Sequence, residues 1–266
     1  MTVAIFLVAH GSYDPRPAIA LRKFYQGLGD RLAPWADLAD PSHLGVGILD
    51  CAPIPLGEQL CQFIQGLETQ VERVGVVPLF LLPGIHVMED IPRAIARAQK
   101  SCSIPLELLP FLGSWPPFRH LIQAHLSPSA NWILIAHGSR RPQAQEWLQT
   151  LAQTCGAKLA VWSQEHSLEG AIQGILAEEK GHPPCSISIF PYFLFAGKTV
   201  EAIGQRVQEL QGQYPQVRLH IHPSVEVTAE LLDCVAHHIT HGIEALDFPT
   251  TAGEQGLSFS GVDRTP

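Results

Sequence analysis

The chain has 266 residues, 46% of them hydrophobic and 16% charged, a balance that supports buried cores and excludes a charge-rich disordered polymer. Its formal net charge of −8 argues against a nucleic-acid partner, because phosphate contacts need a basic face. No stretch approaches the roughly 20 consecutive apolar residues of a membrane span, and Met1 to Ala9 lacks the basic start and cleavage site of a signal peptide, so a cytoplasmic protein with no membrane partner is expected.

In chain order, an apolar run from Val3 to Ala9 reads as a strand and is followed by His10-Gly11-Ser12. Helical patterns follow over Ala18 to Leu32 and Gly57 to Val71, then a second apolar run, Val76 to Gly84, and a helix over Pro92 to Lys100. Ser127-Pro128-Ser129-Ala130 has the composition of a linker. Beyond it, Asn131 to Ser139 repeats the opening, ending in the same Ala-His-Gly-Ser as Ala9 to Ser12. Ile189 to Gly197 likewise matches Val76 to Gly84, with helical patterns over Ala144 to Thr154 and Val200 to Gln211.

Two matching segments in the same order imply a tandem duplication, with halves at 1–125 and 131–245 and a loosely ordered tail over 246–266. Continuous apolar strands alternating with helices predict an α/β fold. Each half is then a doubly wound domain of about four parallel strands, with helices on both faces of the sheet. In such sheets the loops after the carboxyl ends of the strands carry ligands. A covalent pair of halves stands in for a homodimer, so a monomer is expected.

Those loops hold the candidate chemistry. His10 follows its strand directly, either facing a ligand or satisfying a loop carbonyl, and His86 lies at the next strand-to-helix turn, where Asp90 is placed to cap a helix containing Pro92 in its first turn. If parallel strands bring both turns to one sheet edge, two imidazoles share a cleft suited to Fe, Co or Ni. In the second half His86 falls on Thr199, so one site is expected, with His137 structural or shaping the opposite wall. His237, His238 and His241 have helical spacing and read either as a metal site or as a partly exposed helix end. His220 and His222 alternate on a strand and are given no role. Cys51, Cys61, Cys102, Cys155, Cys185 and Cys234 form no C-x-x-C pair and read as buried thiols.

Leu7 to Ser12 (Leu-Val-Ala-His-Gly-Ser) and Pro78 to Pro92 (Pro-Leu-Phe-Leu-Leu-Pro-Gly-Ile-His-Val, then Asp-Ile-Pro) resemble the class II tetrapyrrole chelatases of the CbiX and SirB type. The resemblance runs over about residues 1–240. It implies a lyase that inserts a divalent metal, Co²⁺ or Fe²⁺ with Ni²⁺ as an alternative, into sirohydrochlorin with release of two protons, in siroheme or cobalamin biosynthesis. It also implies that His10 and His86 bind the metal and help remove pyrrole protons. No cofactor beyond the substrate metal is implied. Leu49-Asp50 stands where the family has Leu-Glu, which makes Asp50 either a third ligand or a solvated loop aspartate. The substrate's carboxylates suggest Arg16, Arg93 and Lys198 as anchors among the basic residues near these motifs. Two other readings stay open: a non-catalytic tetrapyrrole or metal carrier, and, ranked lower, a histidine phosphatase, which needs arginine where Ala9 and Ala136 stand.

Overall fold

A computed structural model describes residues 2–246 except 36, 37, 39, 68–70, 127–130 and 179–184. The expected linker at Ser127 to Ala130, His182, and the expected tail from Asp247 onward lie outside the described residues.

Two parallel sheets form, as expected. β1 (Val3–Ala9), β2 (Leu44–Ile48), β3 (Arg73–Pro78) and β4 (Leu106–Leu108) run in the order β2-β1-β3-β4. β5 (Asn131–Ala136), β6 (Ala157–Val161), β7 (Ser186–Pro191) and β8 (Arg218–Ile221) repeat it as β6-β5-β7-β8. The helices are α1 (Pro15–Leu32), α2 (Leu56–Gln65), α3 (Ile91–Gln99), α4 (Pro116–His125), α5 (Pro142–Thr154), α6 (Ser167–Glu178), α7 (Lys198–Gln213) and α8 (Ala229–Leu246). The helix expected over Gly57 to Val71 ends at Gln65, where Gly66 takes the C-cap and is a poor helix former. α4, not among the expected helices, opens on Pro116 and Pro117, residues suited to a first turn.

Side chains on each central strand alternate between two buried faces, which is why the strands read as unbroken apolar runs. Along β1, Ala4, Phe6 and Val8 pack with α2 and α3, whereas Val3, Ile5, Leu7 and Ala9 face the second sheet. Along β5, Ile133 and Ile135 pack with α6 and α7, whereas Trp132, Leu134 and Ala136 face the first. Between the sheets, side chains of α1, α4, α5 and α8 join one continuous core. The two halves therefore share their central layer. α8 leaves its own sheet to pack on α1 and α4, with Leu232 against Gly27 and Arg31 paired to Asp233. Among the described residues no helix is long and apolar enough to cross a membrane.

At the end of each central strand the chain must turn sharply over its neighbour. Gly11 does so at φ 97° and Gly138 at φ 91°, a region that costs other residues strain. A Cβ on Gly11 would lie 1.9 Å from the Asp50 carbonyl oxygen, whereas one on Gly138 would meet the Val161 and Ser163 side chains. Gly11→Ala is thus expected to destabilise the fold by about 1–3 kcal/mol or more, since backbone must shift. Gly138→Ala should cost less, because side chains can rotate away. Denaturant unfolding of both variants checks this ranking, and an equal or reversed order contradicts it.

Candidate metal centre

Parallel pairing carries three side chains to one edge of the first sheet. Beyond the ends of β1 and β2 the backbone pairing continues, with the Leu49 amide donating to the Ala9 carbonyl at 2.9 Å and the Asp50 amide to the His10 carbonyl at 2.7 Å. Asp50 is thereby fixed beside His10. β3 lies on the other side of β1, and its outgoing loop passes Gly84 into a π turn over His86–Asp90 that leads directly into α3. Such a widened turn inside a helix start is frequent at functional sites.

The His10 and His86 rings stand edge to face, with centroids 4.8 Å apart, and Phe80 lies about equally far from both, at 6.0 and 6.1 Å. His10 Nδ1 is 3.0 Å from the Gly11 carbonyl oxygen, and His86 Nδ1 is 2.8 Å from Asp90 Oδ2. Both partners accept only, so each Nδ1 carries the hydrogen and each Nε2 of a neutral ring presents a lone pair. Those two Nε2 atoms lie 4.0 and 3.8 Å from the same oxygen, Asp50 Oδ2. One ligand atom from each of His10, Asp50 and His86 falls within 4.8 Å of the other two. Small rotations would close the trio around one ion, with an open side toward solvent. His10 is exposed and His86 half-buried, so the ion's remaining positions are reachable.

The loop-carbonyl reading of His10 and the ligand reading thus coexist, since the carbonyl bond orients the ring. Asp90 does not act as expected. It has helical dihedrals and makes no side-chain capping bond; its carboxylate instead orients His86 through Oδ2 and receives Arg93 Nη2 on Oδ1 at 2.7 Å. A carboxylate behind a ligating imidazole is a common second layer of metal sites. The His86/Asp90 spacing of four residues was the available signal for this pair. Also unforeseen from sequence are exposed apolar side chains on the same two loops, Tyr13, Ile85 and Met88.

The basic candidates differ in their surroundings. Arg93 is exposed, beside Asp90, and with Arg97 lines a groove of about 470 Å³ between α2 and α3. Lys198 is exposed at the start of α7. Arg16 bonds Asp14, with Nε and Nη2 on its carboxylate, and crosses to Glu201 of α7 at 2.8 Å. That guanidinium, with the Arg16 amide, holds the Asp14 carboxyl down at about 2. A counterpart pair, Arg141 to Glu89, ties α5 to the π turn from the other side. The loops at the carboxyl ends of the two sheets therefore meet, with Gly84 facing Ser139 and Gly197 facing Asp14 and Pro17.

Among the described residues the second half shows no such trio. The Ser163 amide donates to the His137 carbonyl as that of Asp50 does to His10, so Ser163 and Thr199 stand where Asp50 and His86 stand in the first half. His137 is exposed. Elsewhere His238 stacks on Trp115 at 3.9 Å, while His237 and His241 lie one turn apart on α8 with rings 3.8 Å apart. Cys61 and Cys102 are half-buried with sulfurs 3.4 Å apart, Cys155 is buried and Cys234 half-buried, but Cys51 and Cys185 are exposed, contrary to the expectation of buried thiols throughout.

Among solved structures, SirB from Bacillus subtilis with Fe³⁺ aligns at a TM-score of 0.71 and 18% identity, over 91% of this chain and 95% of that one. The cobalt complex of the sirohydrochlorin chelatase SirB from Bacillus subtilis subspecies spizizenii aligns at 0.68 and 20% identity, over 92% and 96%. CbiX, described as the terminal enzyme for biosynthesis of siroheme in denitrifying bacteria, aligns at 0.56 and 19% identity, over 91% and 99%. At these identities the likenesses establish the fold. No curated protein sequence matches the chain. The sequence profile of the CbiX family matches residues 4–129 and again 131–241, one copy for each sheet. With nearly all of the described chain covered, the protein belongs to the CbiX family.

Proposed function

We propose that the protein is a sirohydrochlorin chelatase that inserts Co²⁺ or Fe²⁺ into its macrocycle between the two halves, with the first half supplying the chemistry. The observation that carries this reading is the convergence of the His10 and His86 Nε2 lone pairs on Asp50 Oδ2. Two imidazoles and a carboxylate suit mid-row divalent metals, and the solved relatives described with iron and with cobalt agree with that choice. The metal is substrate, so an exposed site with few protein ligands is apt, because it must release the ion as readily as it takes it up.

Insertion needs a metal poised over the ring, loss of two pyrrole N–H protons, and nitrogen lone pairs turned toward the metal. His10 and His86 would deliver the ion and accept protons as it leaves, with Asp50 holding the third position. Asp90 would keep the His86 ring aimed. Tyr13, Ile85 and Met88 offer apolar surface for the ring face, and Arg93 and Lys198 offer charge for its carboxylates. Arg16 is less available, since Asp14 and Glu201 already engage its guanidinium. The second half supplies the opposite wall within the same chain, which supports action as a monomer.

His86→Ala should abolish insertion in an anaerobic assay with sirohydrochlorin and Co²⁺, followed by visible absorption, while circular dichroism stays native. His10→Ala should impair the same step non-additively. Normal turnover by a folded His86→Ala protein would sink the assignment. His137→Ala is expected to retain most activity, because Ser163 and Thr199 leave it without partners; a loss as large as that of His86→Ala would move the site to the other half. Asp90→Asn should cost about 10- to 100-fold in metal affinity or rate, and unchanged values would remove Asp90 from the mechanism.

A further inference from the structure

We propose that His125, His220 and His222 form a second binding site for a borderline divalent transition-metal ion, on the seam between the halves and separate from His10 and His86. The site stands on its own geometry, whatever the protein's reaction. His125 is the last residue of α4, from the first half. His220 lies on β8, and the His222 amide extends that pairing to the Ile189 carbonyl at 2.9 Å. Two residues apart on extended chain, the two side chains share one face.

The rings of His220 and His222 are perpendicular with centroids 4.6 Å apart, and His125 stands perpendicular to His222 at 6.4 Å. An ion about 2.1 Å from one nitrogen of each ring leaves centroids roughly 4.5 to 6.5 Å apart, according to the angle at the metal. His220 with His222 and His125 with His222 fall in that range; His125 and His220 are exposed and would have to rotate toward the partly buried His222 to close on one ion.

His222 supplies the observation that asks for a ligand. Its Nε2 is buried and has no hydrogen-bond partner, a condition that ordinarily costs about 1–3 kcal/mol. Burial, with His220 and His125 nearby, depresses its pKa and keeps the ring neutral, the form a metal binds. Three imidazoles select Co²⁺, Ni²⁺, Cu²⁺ or Zn²⁺ over Mg²⁺ or Ca²⁺, which prefer oxygen. The buried Trp132 ring, 4.6 Å from His222, is a built-in reporter, because a bound paramagnetic ion there would quench its emission.

The test uses the full chain with Ni²⁺ as probe. Calorimetric titration of His10→Ala/His86→Ala should still show a bound equivalent, and adding His220→Ala/His222→Ala should remove it. His125→Ala and His220→Ala, both changes of exposed side chains, should each weaken it about tenfold or more. Ni²⁺ should also quench wild-type fluorescence, and quench that of Trp132→Phe less. Binding unaffected by the His220 and His222 changes would overturn the proposal, as would its loss on His237→Ala/His241→Ala instead, the competing pair on α8. Insertion by the wild type is a separate readout, so failure of this site and failure of the chelatase assignment are distinguishable.

Discussion

The site depends on β1 lying between β2 and β3 in parallel register. That arrangement delivers positions 10, 50 and 86 to one sheet edge, although 35 or more residues lie between each and the next along the chain. Nothing local to His10 would hold Asp50 beside it. The extended backbone pairing beyond Ile48 does so, and it is permitted by Gly11, where any side chain would strike the Asp50 carbonyl. One missing Cβ thus couples a fold requirement to ligand placement.

Orientation follows from what stands behind each imidazole. A backbone carbonyl behind His10 and a carboxylate behind His86 fix both rings with Nε2 forward. Because Asp90 also receives Arg93, its charge is compensated and its position held from the α3 side. The result is a preformed but exposed candidate ligand set, an arrangement that would suit an ion passed on rather than stored.

Duplication supplied two such edges and divergence left one equipped. The second half keeps the glycine turn and the histidine but has Ser163 and Thr199 in place of Asp50 and His86. It is packed closely against the first half: α8 packs on α1 and α4, the sheets share their central layer, and the Arg16–Glu201 and Arg141–Glu89 pairs join the loops at the carboxyl ends. Such partly exposed pairs add little stability, yet they set how closely the two edges approach.

Much of this was legible from the chain alone. Apolar runs that switch to helical periodicity disclosed the α/β order, and repetition of Ala-His-Gly-Ser disclosed the duplication. His10 and His86 stood out because each follows a strand, and loss of the partner at Thr199 was visible in the alignment of the halves. Asp50 could be named but not assigned, since its proximity to both imidazoles arises from strand pairing and not from spacing. Asp90 was misread as a cap because sequence specifies a residue's place in a turn and not where its carboxylate points. The shared central core, the crossed ion pairs and the His125, His220 and His222 cluster were decided by tertiary structure. Periodicity reports which face of an element is buried, but which distant element covers it depends on how the complete set of faces packs.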